Sequence, residues 1–312
     1  MTALLSTLAT GLGQGAAYAL IAVSFVIIFR ATGVLNFAQP ALLIFGSFAT
    51  SVLVMDLGLP FWAGAAAAMA LIAVVSAGLE RLAIRPMVGR PPFSAAIVTV
   101  GLFIALLIVA FRLFESNPRL IGDPWRLDVV CFGGVATENF GIAGCDGGVM
   151  VYQSAIARVV IALGAIAVFG LWLSRSKLGL AMRATAFDQE TALAQGIPVG
   201  RVFSISWAVG GALAALGGIL LGMSGTVVQA TDALFALVAL PALIIGGLDS
   251  LKGGVIGGLV VGVAMALTKA YLPTLAPALG ANFENVVPYL IMLIVLLVRP
   301  YGIFGTAEVQ RV

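Results

Sequence analysis

The chain has 312 residues, of which 62% are hydrophobic and only 9% are charged, and its formal net charge is +3. A soluble protein carries about 25% charged residues, so the composition excludes an ordinary soluble domain and predicts an integral membrane protein. The sequence contains no histidine and only two cysteines, which excludes an imidazole-based catalytic triad and argues against a metal centre.

Nine apolar segments are predicted to cross or re-enter the membrane, because a membrane-spanning helix needs about 20 mostly apolar residues. Their predicted limits are 6–28, 38–55, 60–79, 93–113, 153–174, 203–224, 234–248, 254–272 and 286–298. The seventh is short, and we expect it either to span or to re-enter, buried among its neighbours. The prediction is therefore one all-α transmembrane domain over residues 1–312. No basic region precedes the first segment, so we expect no cleaved signal peptide.

Positive charge predicts the orientation of the chain. With the amino terminus outside, the inner loops hold 11 of the 16 Lys and Arg residues and five of the 13 Asp and Glu residues. The inner side then carries +6 and the outer side −3, which sum to the net charge of +3. Because Lys and Arg accumulate in cytoplasmic loops, we predict an outer amino terminus and a cytoplasmic carboxyl terminus. We expect the membrane to be a bacterial inner membrane. The excess of Lys and Arg over Asp and Glu thus reflects the topology of the chain and does not indicate nucleic-acid binding.

A break in helical continuity is predicted between the first two segments, in RATGVLNFAQPALLIF. Gly33 interrupts the first helix, and Pro40 suits the first turn of a new one. Backbone polar groups freed inside a membrane are tolerated only beside protein or a water-filled cavity. Two amide side chains, Asn36 and Gln39, lie inside the break. They either line a translocation pathway or form purely structural hydrogen bonds.

The longest predicted loop, residues 114–152, lies on the outer side and contains Cys131 and Cys145. Thiols on that side of a bacterial membrane meet an oxidising compartment, and the run NFGIAGCDGG offers little apolar material to hold the loop. We expect a disulfide between the two cysteines, which closes a loop of about 15 residues and contributes up to roughly 3 kcal/mol. Two free thiols are the alternative.

A polar loop on the inner side, residues 175–202, separates the fifth and sixth segments. Thr185 and Asp188 fit the start of a short helix over about residues 186–195, and Gly196 fits its end. So short a helix is not stable alone in water, so it needs a docking surface; a helix lying on lipid headgroups is the alternative. The small residues expected on its exposed face are Ala186, Ala192 and Ala194.

Several chemistries are missing from the sequence. No GxxxxGK[ST] phosphate-binding loop occurs, so the chain is not an ATPase by itself, and we expect no enzymatic activity. No Asp or Glu lies in the centre of a predicted segment, although ion-driven carriers usually keep an ionisable group there. What remains is a passive pore or a transporter that is powered by another chain.

Four stretches of the sequence carry a resemblance to a known family. They are GLGQGAAYALIAVSFVIIFRATGVLNFAQPALLIFGSFA, RATAFDQETALAQGIPVGRVFSISWAVGGALAALGGILLG, ALPALIIGGLDSLKGGVIGGLVVG and LLVRPYGIFG. In this order, from residue 11 to residue 305, they resemble the permease subunits of ABC importers for branched-chain amino acids. The resemblance covers nearly the whole chain.

The resemblance implies partners and a coupling role. It implies a second homologous permease, an external solute-binding protein, surrounding membrane lipid and two ATPase subunits that use ATP and Mg, with no cofactor bound by this chain. It also implies that the loop 175–202 docks in a groove of an ATPase subunit. The candidate coupling residues are Phe187, Asp188, Glu190, Ala192, Leu193 and Gly196.

Two departures from the family pattern bear on the transported solute. The family usually has NFAHG where this sequence has NFAQP; Gln39 forms hydrogen bonds but does not titrate, and Pro40 stiffens the segment. The second departure is the loop with the two cysteines. Relatives are associated with branched-chain amino acids, urea, short amides and small carboxylates. We expect a branched-chain amino acid or a related small polar solute; the alternative is a stand-alone channel or facilitator for a neutral solute such as urea.

Overall fold

The computed structural model describes residues 2–90, 92–114, 118–125, 128–139, 142–223, 227–280 and 282–306. Some sequence features lie outside these ranges. They include four charges used to predict the orientation, Glu115, Arg126, Glu308 and Arg311, and residues 140 and 141 of the glycine-rich run.

The described chain is mostly helical. The helices are α1 Thr2–Thr32, α2 Gln39–Ser51, α3 Phe61–Leu79, α4 Pro92–Phe114, α5 Gln153–Arg175, α6 Lys177–Phe187, α7 Gln189–Ala194, α8 Val199–Gly222, α9 Asp232–Phe235, α10 Ala239–Gly246, α11 Leu251–Leu275 and α12 Val287–Val298. The strands are β1 Arg119–Leu120, β2 Val129–Phe132, β3 Val135–Asn139, β4 Ile142–Asp146, β5 Val149–Tyr152 and β6 Val227–Val228. π-helical turns Val52–Asp56 and Glu80–Ile84 continue α2 and α3.

Seven helices are long and apolar enough to cross a membrane, and each corresponds to one predicted segment. They are Thr2–Thr32, Gln39–Asp56, Phe61–Met87, Phe93–Phe114, Gln153–Arg175, Val199–Gly222 and Leu251–Leu275. The other two predicted segments are shorter, at Asp232–Gly246 and Phe283–Val298. A 3-10 turn, Ala236–Val238, interrupts the first of these. The chain is thus a multi-pass membrane protein.

Helix α1 lies at the centre of the bundle and packs along α11 and α8. Glycines bring α1 and α11 together: a Cβ atom at Gly262 would overlap the backbone of Gly15, and one at Gly258 would overlap Ala19. Small residues let helix backbones approach closely in lipid, where no hydrophobic effect drives helices together. Helix α8 in turn packs against α2 and α3, so α1 and α8 form the core.

Apolar side chains on the outer helices point away from this core. Val74 on α3, Val160 on α5 and Leu297 on α12 are 72%, 65% and 87% exposed. In water such surfaces would be costly, at about 25 cal/mol for each Å² of apolar area. They suit contact with lipid tails or with another membrane chain.

The predicted loop 114–152 contains antiparallel strands, which corrects the all-α prediction in this segment. Strand β2 pairs with β5, β3 pairs with β4, and β1 pairs with β6. Gly133 and Gly147 adopt positive φ angles of 73° and 74°, which glycine reaches without steric cost. A disulfide joins Cys131 on β2 to Cys145 on β4, with Cα atoms 5.5 Å apart. Strands of two to five residues give too short an alternation to be recognised from sequence.

Candidate functional site

The break between α1 and α2 contains a buried network of amides. Asn36 and Gln39 are 1% and 0% exposed. Asn36 Nδ2 donates to Gln39 Oε1 at 2.9 Å, and Asn36 Oδ1 accepts from the backbone N–H of Ala38 at 3.0 Å. Gln39 Nε2 donates to Ser24 Oγ at 2.9 Å and to the Gly210 carbonyl at 2.8 Å. The network therefore joins the break to α1 and α8.

A second contact holds the break from the side of α4. Thr99 is buried and its hydroxyl accepts from the backbone N–H of Phe37 at 3.1 Å. The same hydroxyl lies 3.2 Å from the Leu35 carbonyl. Sequence reasoning placed Asn36 and Gln39 in the break but missed Thr99 and Ser24, because their partners are distant in the sequence. In this conformation the hydrogen bonds favour a structural role for the amides.

An ionic network lies at the inner end of α3. Glu80 is fully buried, and its Oε2 is 3.1 Å from Arg85 Nη2. Arg85 Nη2 also donates to the Gly200 carbonyl at 2.7 Å and to Ser204 Oγ at 2.6 Å, while Ser204 Oγ donates to Glu80. The sequence placed Glu80 just beyond the third segment, whereas the helix continues to Met87. The network therefore ties the end of α3 to the first turn of α8.

The polar loop 175–202 folds into two helices, which corrects the single predicted helix over 186–195. Thr185 is not a cap: it lies inside α6, where its hydroxyl donates to the Met182 carbonyl at 3.0 Å. Asp188 begins α7, and its Oδ1 accepts from the backbone N–H groups of Glu190 and Thr191. The Thr191 hydroxyl donates to Asp188 Oδ2 at 2.6 Å. This hydroxyl and these N–H groups lower the pKa of Asp188, because they stabilise its charged form.

Gly196 ends α7, as the sequence predicts. Its φ angle is +81°, and its N–H donates to the Leu193 carbonyl at 2.9 Å. The N–H of Ile197 donates to the Ala192 carbonyl at 3.0 Å. This pair of bonds is the Schellman arrangement, in which glycine supplies the left-handed residue. The exit of the chain toward α8 is thus fixed by Gly196.

The two faces of α7 differ from the predicted arrangement in one residue. Ala192 is 3% exposed and packs against Val199 and Phe203 of its own chain, so the expectation that it lies on the exposed face is wrong. Ala186, Ala194 and Glu190 are exposed, as are Phe187 at 87% and Leu193 at 53%. The surface open to a partner is therefore formed by Phe187 and Leu193, with Glu190 beside them.

A cavity of about 600 Å³ opens beside this surface. Phe187 and Arg183 line it from α6, Arg30 from the end of α1, and Asp249 from the loop before α11. Asp249 also accepts a hydrogen bond from the Thr306 hydroxyl, and Thr306 lines the same cavity. Among the residues that the structure describes, no group of three or more His, Cys, Asp or Glu side chains is placed to hold a metal ion.

Known proteins are similar to this chain along nearly its whole length. A family described as "Branched-chain amino acid transport system / permease component" matches residues 7–296. The chain is 30% identical to the permease protein LivH of Salmonella typhimurium, over 97% of this chain and 96% of that protein. It is 31% identical to the permease protein BraD of Pseudomonas aeruginosa, over 99% and 98%.

Two more distant similarities were found. A probable branched-chain amino acid transport permease protein of Methanocaldococcus jannaschii is 29% identical, over 92% of this chain and 88% of that protein. The PsaBC structure from Streptococcus pneumoniae, solved with a Fab, is 18% identical with a TM-score of 0.44, over 96% of this chain and 91% of that one. That score is too low to establish a common fold. The match over residues 7–296 assigns the chain to the permease components of branched-chain amino acid transport systems.

Proposed function

We propose that the chain is the membrane-spanning subunit of an ATP-driven importer for branched-chain amino acids or related small polar solutes. The observation that carries this proposal is the match of residues 7–296 to one permease family. LivH and BraD are described as parts of high-affinity branched-chain amino acid transport systems. A match that runs through every helix from α1 to α12 supports a common role for the whole bundle.

The proposed partners are two ATPase subunits, a second permease and an external solute-binding protein. ATP and Mg would then be used by the ATPase subunits, and this chain would act without an enzymatic site of its own. The loop 175–202 supports a docking role, because it presents two exposed apolar side chains, Phe187 at the end of α6 and Leu193 on the capped helix α7. An exposed aromatic or aliphatic anchor is the kind of group that fills a partner's pocket.

The proposed orientation puts the hairpins, that is the strand pairs β2–β5 and β3–β4, outside, and the loop 175–202 in the cytoplasm of a bacterium. One crossing, α5, runs from Gln153 beside the disulfide-linked hairpins to Arg175 beside that loop. With α5 as a crossing, the two features would lie on opposite sides of the membrane, which supports an outer disulfide and an inner ATPase contact. The distribution of Lys and Arg supports the same orientation.

Asn36 and Gln39 are proposed to border the translocation pathway. Helix breaks within a membrane often form the solute route of transporters, and this break is held by hydrogen bonds between side chains and a carbonyl of α8. Opening the route would exchange some of these bonds for contacts with the solute. The amides would then act both as a closure and as polar lining.

The proposal is tested by assembly with the partners encoded nearest to the chain in its genome. Purification through a tag on this chain should recover two ATPase subunits per complex. Addition of solute-loaded binding protein should raise ATP hydrolysis several-fold over the complex alone. Solute passage through the purified chain without any ATPase would instead identify a stand-alone facilitator.

A further inference from the structure

The cavity of about 600 Å³ beside α6 carries more positive than negative charge. Its charged lining consists of Arg30 in the last turn of α1, Arg183 on α6 and Asp249 before α11. We call this space the basic cavity. Within the described part of the chain, neither arginine forms an ion pair or a side-chain hydrogen bond. Both guanidinium groups can therefore bind an acceptor that the described chain does not supply.

The carboxylate of this lining, Asp249, has partners other than the two arginines. Its Oδ1 accepts from the backbone N–H of Thr306 at 3.3 Å, and its Oδ2 accepts from the Thr306 hydroxyl. Arg175 and Lys177, at the junction of α5 and α6, are exposed and follow Ser174 of the lining closely along the chain. The region thus suits an anion, and the planar fork of arginine matches the oxygen atoms of a phosphate.

A largely apolar cleft adjoins the basic cavity. Its lining includes Phe169 and Trp172 of α5 and Val209 of α8. Leu173 and Met182 line both the cleft and the cavity, so the two spaces meet at these side chains. The cleft is shallow, with a volume of about 10 Å³. It therefore offers a surface on which an apolar chain can lie, and it does not enclose a separate molecule.

The cleft lies deeper in the bundle than the cavity and borders a surface that suits lipid. On α1, Ile27 lines the cleft, whereas Arg30, about one turn closer to the end of the helix, lines the cavity. On α5, Val168, Leu171 and Trp172 are 65%, 54% and 43% exposed. Tryptophan is enriched where a membrane protein meets the headgroup level. Cationic groups above an apolar surface follow the order of the headgroup and acyl chains of a phospholipid.

We propose that the basic cavity binds the headgroup of an anionic phospholipid from the leaflet on the side of the loop 175–202. Arg30 and Arg183 bind the lipid phosphate, and one acyl chain lies on the cleft along Trp172. Basic pockets between transmembrane helices bind anionic headgroups in other membrane proteins. The bound lipid fastens α6 to the membrane, while α7, which follows α6, stays open to a protein partner. This site is independent of the solute that the chain transports.

The experiment measures quenching of Trp172 fluorescence by lipids with brominated acyl chains, because bromine quenches only a tryptophan that it approaches closely. The full chain is reconstituted into phosphatidylcholine vesicles that contain increasing fractions of brominated phosphatidylglycerol or of brominated phosphatidylethanolamine. The chain has four tryptophans, so the signal of Trp172 is isolated by subtracting that of the matching Trp172→Phe protein. The ratio of the two apparent binding constants gives the selectivity for the anionic lipid.

We expect phosphatidylglycerol to bind near Trp172 of the wild type at least about fivefold more tightly than phosphatidylethanolamine. Arg30→Gln and Arg183→Gln should each lower this selectivity about fivefold, the effect of one basic residue at an anionic membrane surface. Arg201→Gln is the matched control, because Arg201 is an exposed residue in the first turn of α8 and does not line the cavity. It should leave the selectivity unchanged.

Equal quenching of the wild type by both lipids, or unchanged selectivity in both arginine variants, would overturn the proposal. If Arg30→Gln does not insert stably, Arg183→Gln decides, because Arg183 is exposed on α6. Displacement of brominated phosphatidylglycerol by millimolar inorganic phosphate would identify a site for a free anion and would also overturn the assignment to lipid. Loss of the selectivity when ATPase subunits bind would assign the cavity to a protein partner and would overturn it as well.

Discussion

The side-chain amide of Gln39 donates a hydrogen bond of 2.8 Å to the backbone carbonyl of Gly210, which lies 171 positions further along the chain. This bond fastens the break between α1 and α2 to helix α8. The same helix begins at Val199, directly after the loop that carries α7. A displacement of the loop 175–202 would therefore reach the helix break through one continuous helix.

Replacement of Gln39 by leucine should lower both stability and transport. It removes the partner of Ser24, Asn36 and the Gly210 carbonyl, and a buried polar group left unsatisfied costs about 1–3 kcal/mol. We expect a lower melting temperature of the purified chain and reduced uptake, with Gln195→Leu, at an exposed position after α7, as the control. Reduced uptake at unchanged stability would favour a pathway role over a structural one. No change in either quantity would reject both.

Substitutions on the two faces of α7 should have different effects. Leu193→Arg places a charge on the exposed face, so the chain should remain stable but lose the ATPase subunits during purification. Ala192→Arg instead forces a charge between Val199 and Phe203 of the same chain, where an unpaired charge costs several kcal/mol. It should lower the melting temperature of the isolated chain. Normal retention of the ATPase subunits by Leu193→Arg would show that the docking surface lies elsewhere.

The cap formed by Asp188 should make α7 sensitive to acid. The pKa of Asp188 is lowered by the Thr191 hydroxyl and by the N–H groups of α7. A lowered pKa means that the carboxylate stabilises the helix above about pH 3.9, the value of a free aspartate, and that this contribution is lost as the pH falls through the lowered pKa. Hydrogen exchange of residues 189–194, corrected for the intrinsic rate, should show this loss.

The variant Asp188→Ala should exchange quickly at neutral pH, without the acid transition. Asp188→Asn is the matched control, because asparagine also caps helices well but does not titrate. It should protect α7 at neutral pH and show no such transition. An acid transition that persists in Asp188→Asn would assign it to another group.

Removal of the charge on Glu80 should uncouple ATP hydrolysis from transport. Glu80→Gln leaves Arg85 without its carboxylate partner. The resulting loss of folding free energy should be smaller than the roughly 3–5 kcal/mol that breaking a fully buried ion pair costs, because the Arg85 side chain is 35% exposed. We expect more ATP hydrolysed per solute, since the end of α3 is no longer fastened to α8. Arg81→Gln, a change at an exposed neighbour, should leave this ratio unchanged. An unchanged ratio in Glu80→Gln would limit the network to a structural role.

Thiol labelling tests the outer disulfide and the orientation together. Intact spheroplasts should incorporate an impermeant thiol reagent at Cys131 and Cys145 only after reduction. The double variant Cys131→Ser/Cys145→Ser should remain unlabelled under both conditions. Labelling of the wild type without reductant would refute the disulfide on the cell, and protection after reduction would refute the outer position of the hairpins.

The sequence predicted the features that depend on local chemistry. Long apolar runs identified the seven long helices, Gly33 and Pro40 marked the break, and Gly196 marked the end of α7. Features that depend on distant contacts were missed. The burial of Ala192 depends on Phe203 of the next helix, and the partner of Gln39 is a carbonyl of α8. The network of Glu80 required α3 to continue through a π-helical turn, which no residue pattern marks.

Concentrative uptake tests the central claim most directly. Proteoliposomes containing this chain with its ATPase subunits and a second permease, loaded with ATP and Mg, receive binding protein and labelled leucine from outside. We predict that leucine accumulates above its external concentration, and that it does not do so when ATP is omitted. The account would be contradicted if leucine entered at the same rate with and without ATP and reached only its external concentration.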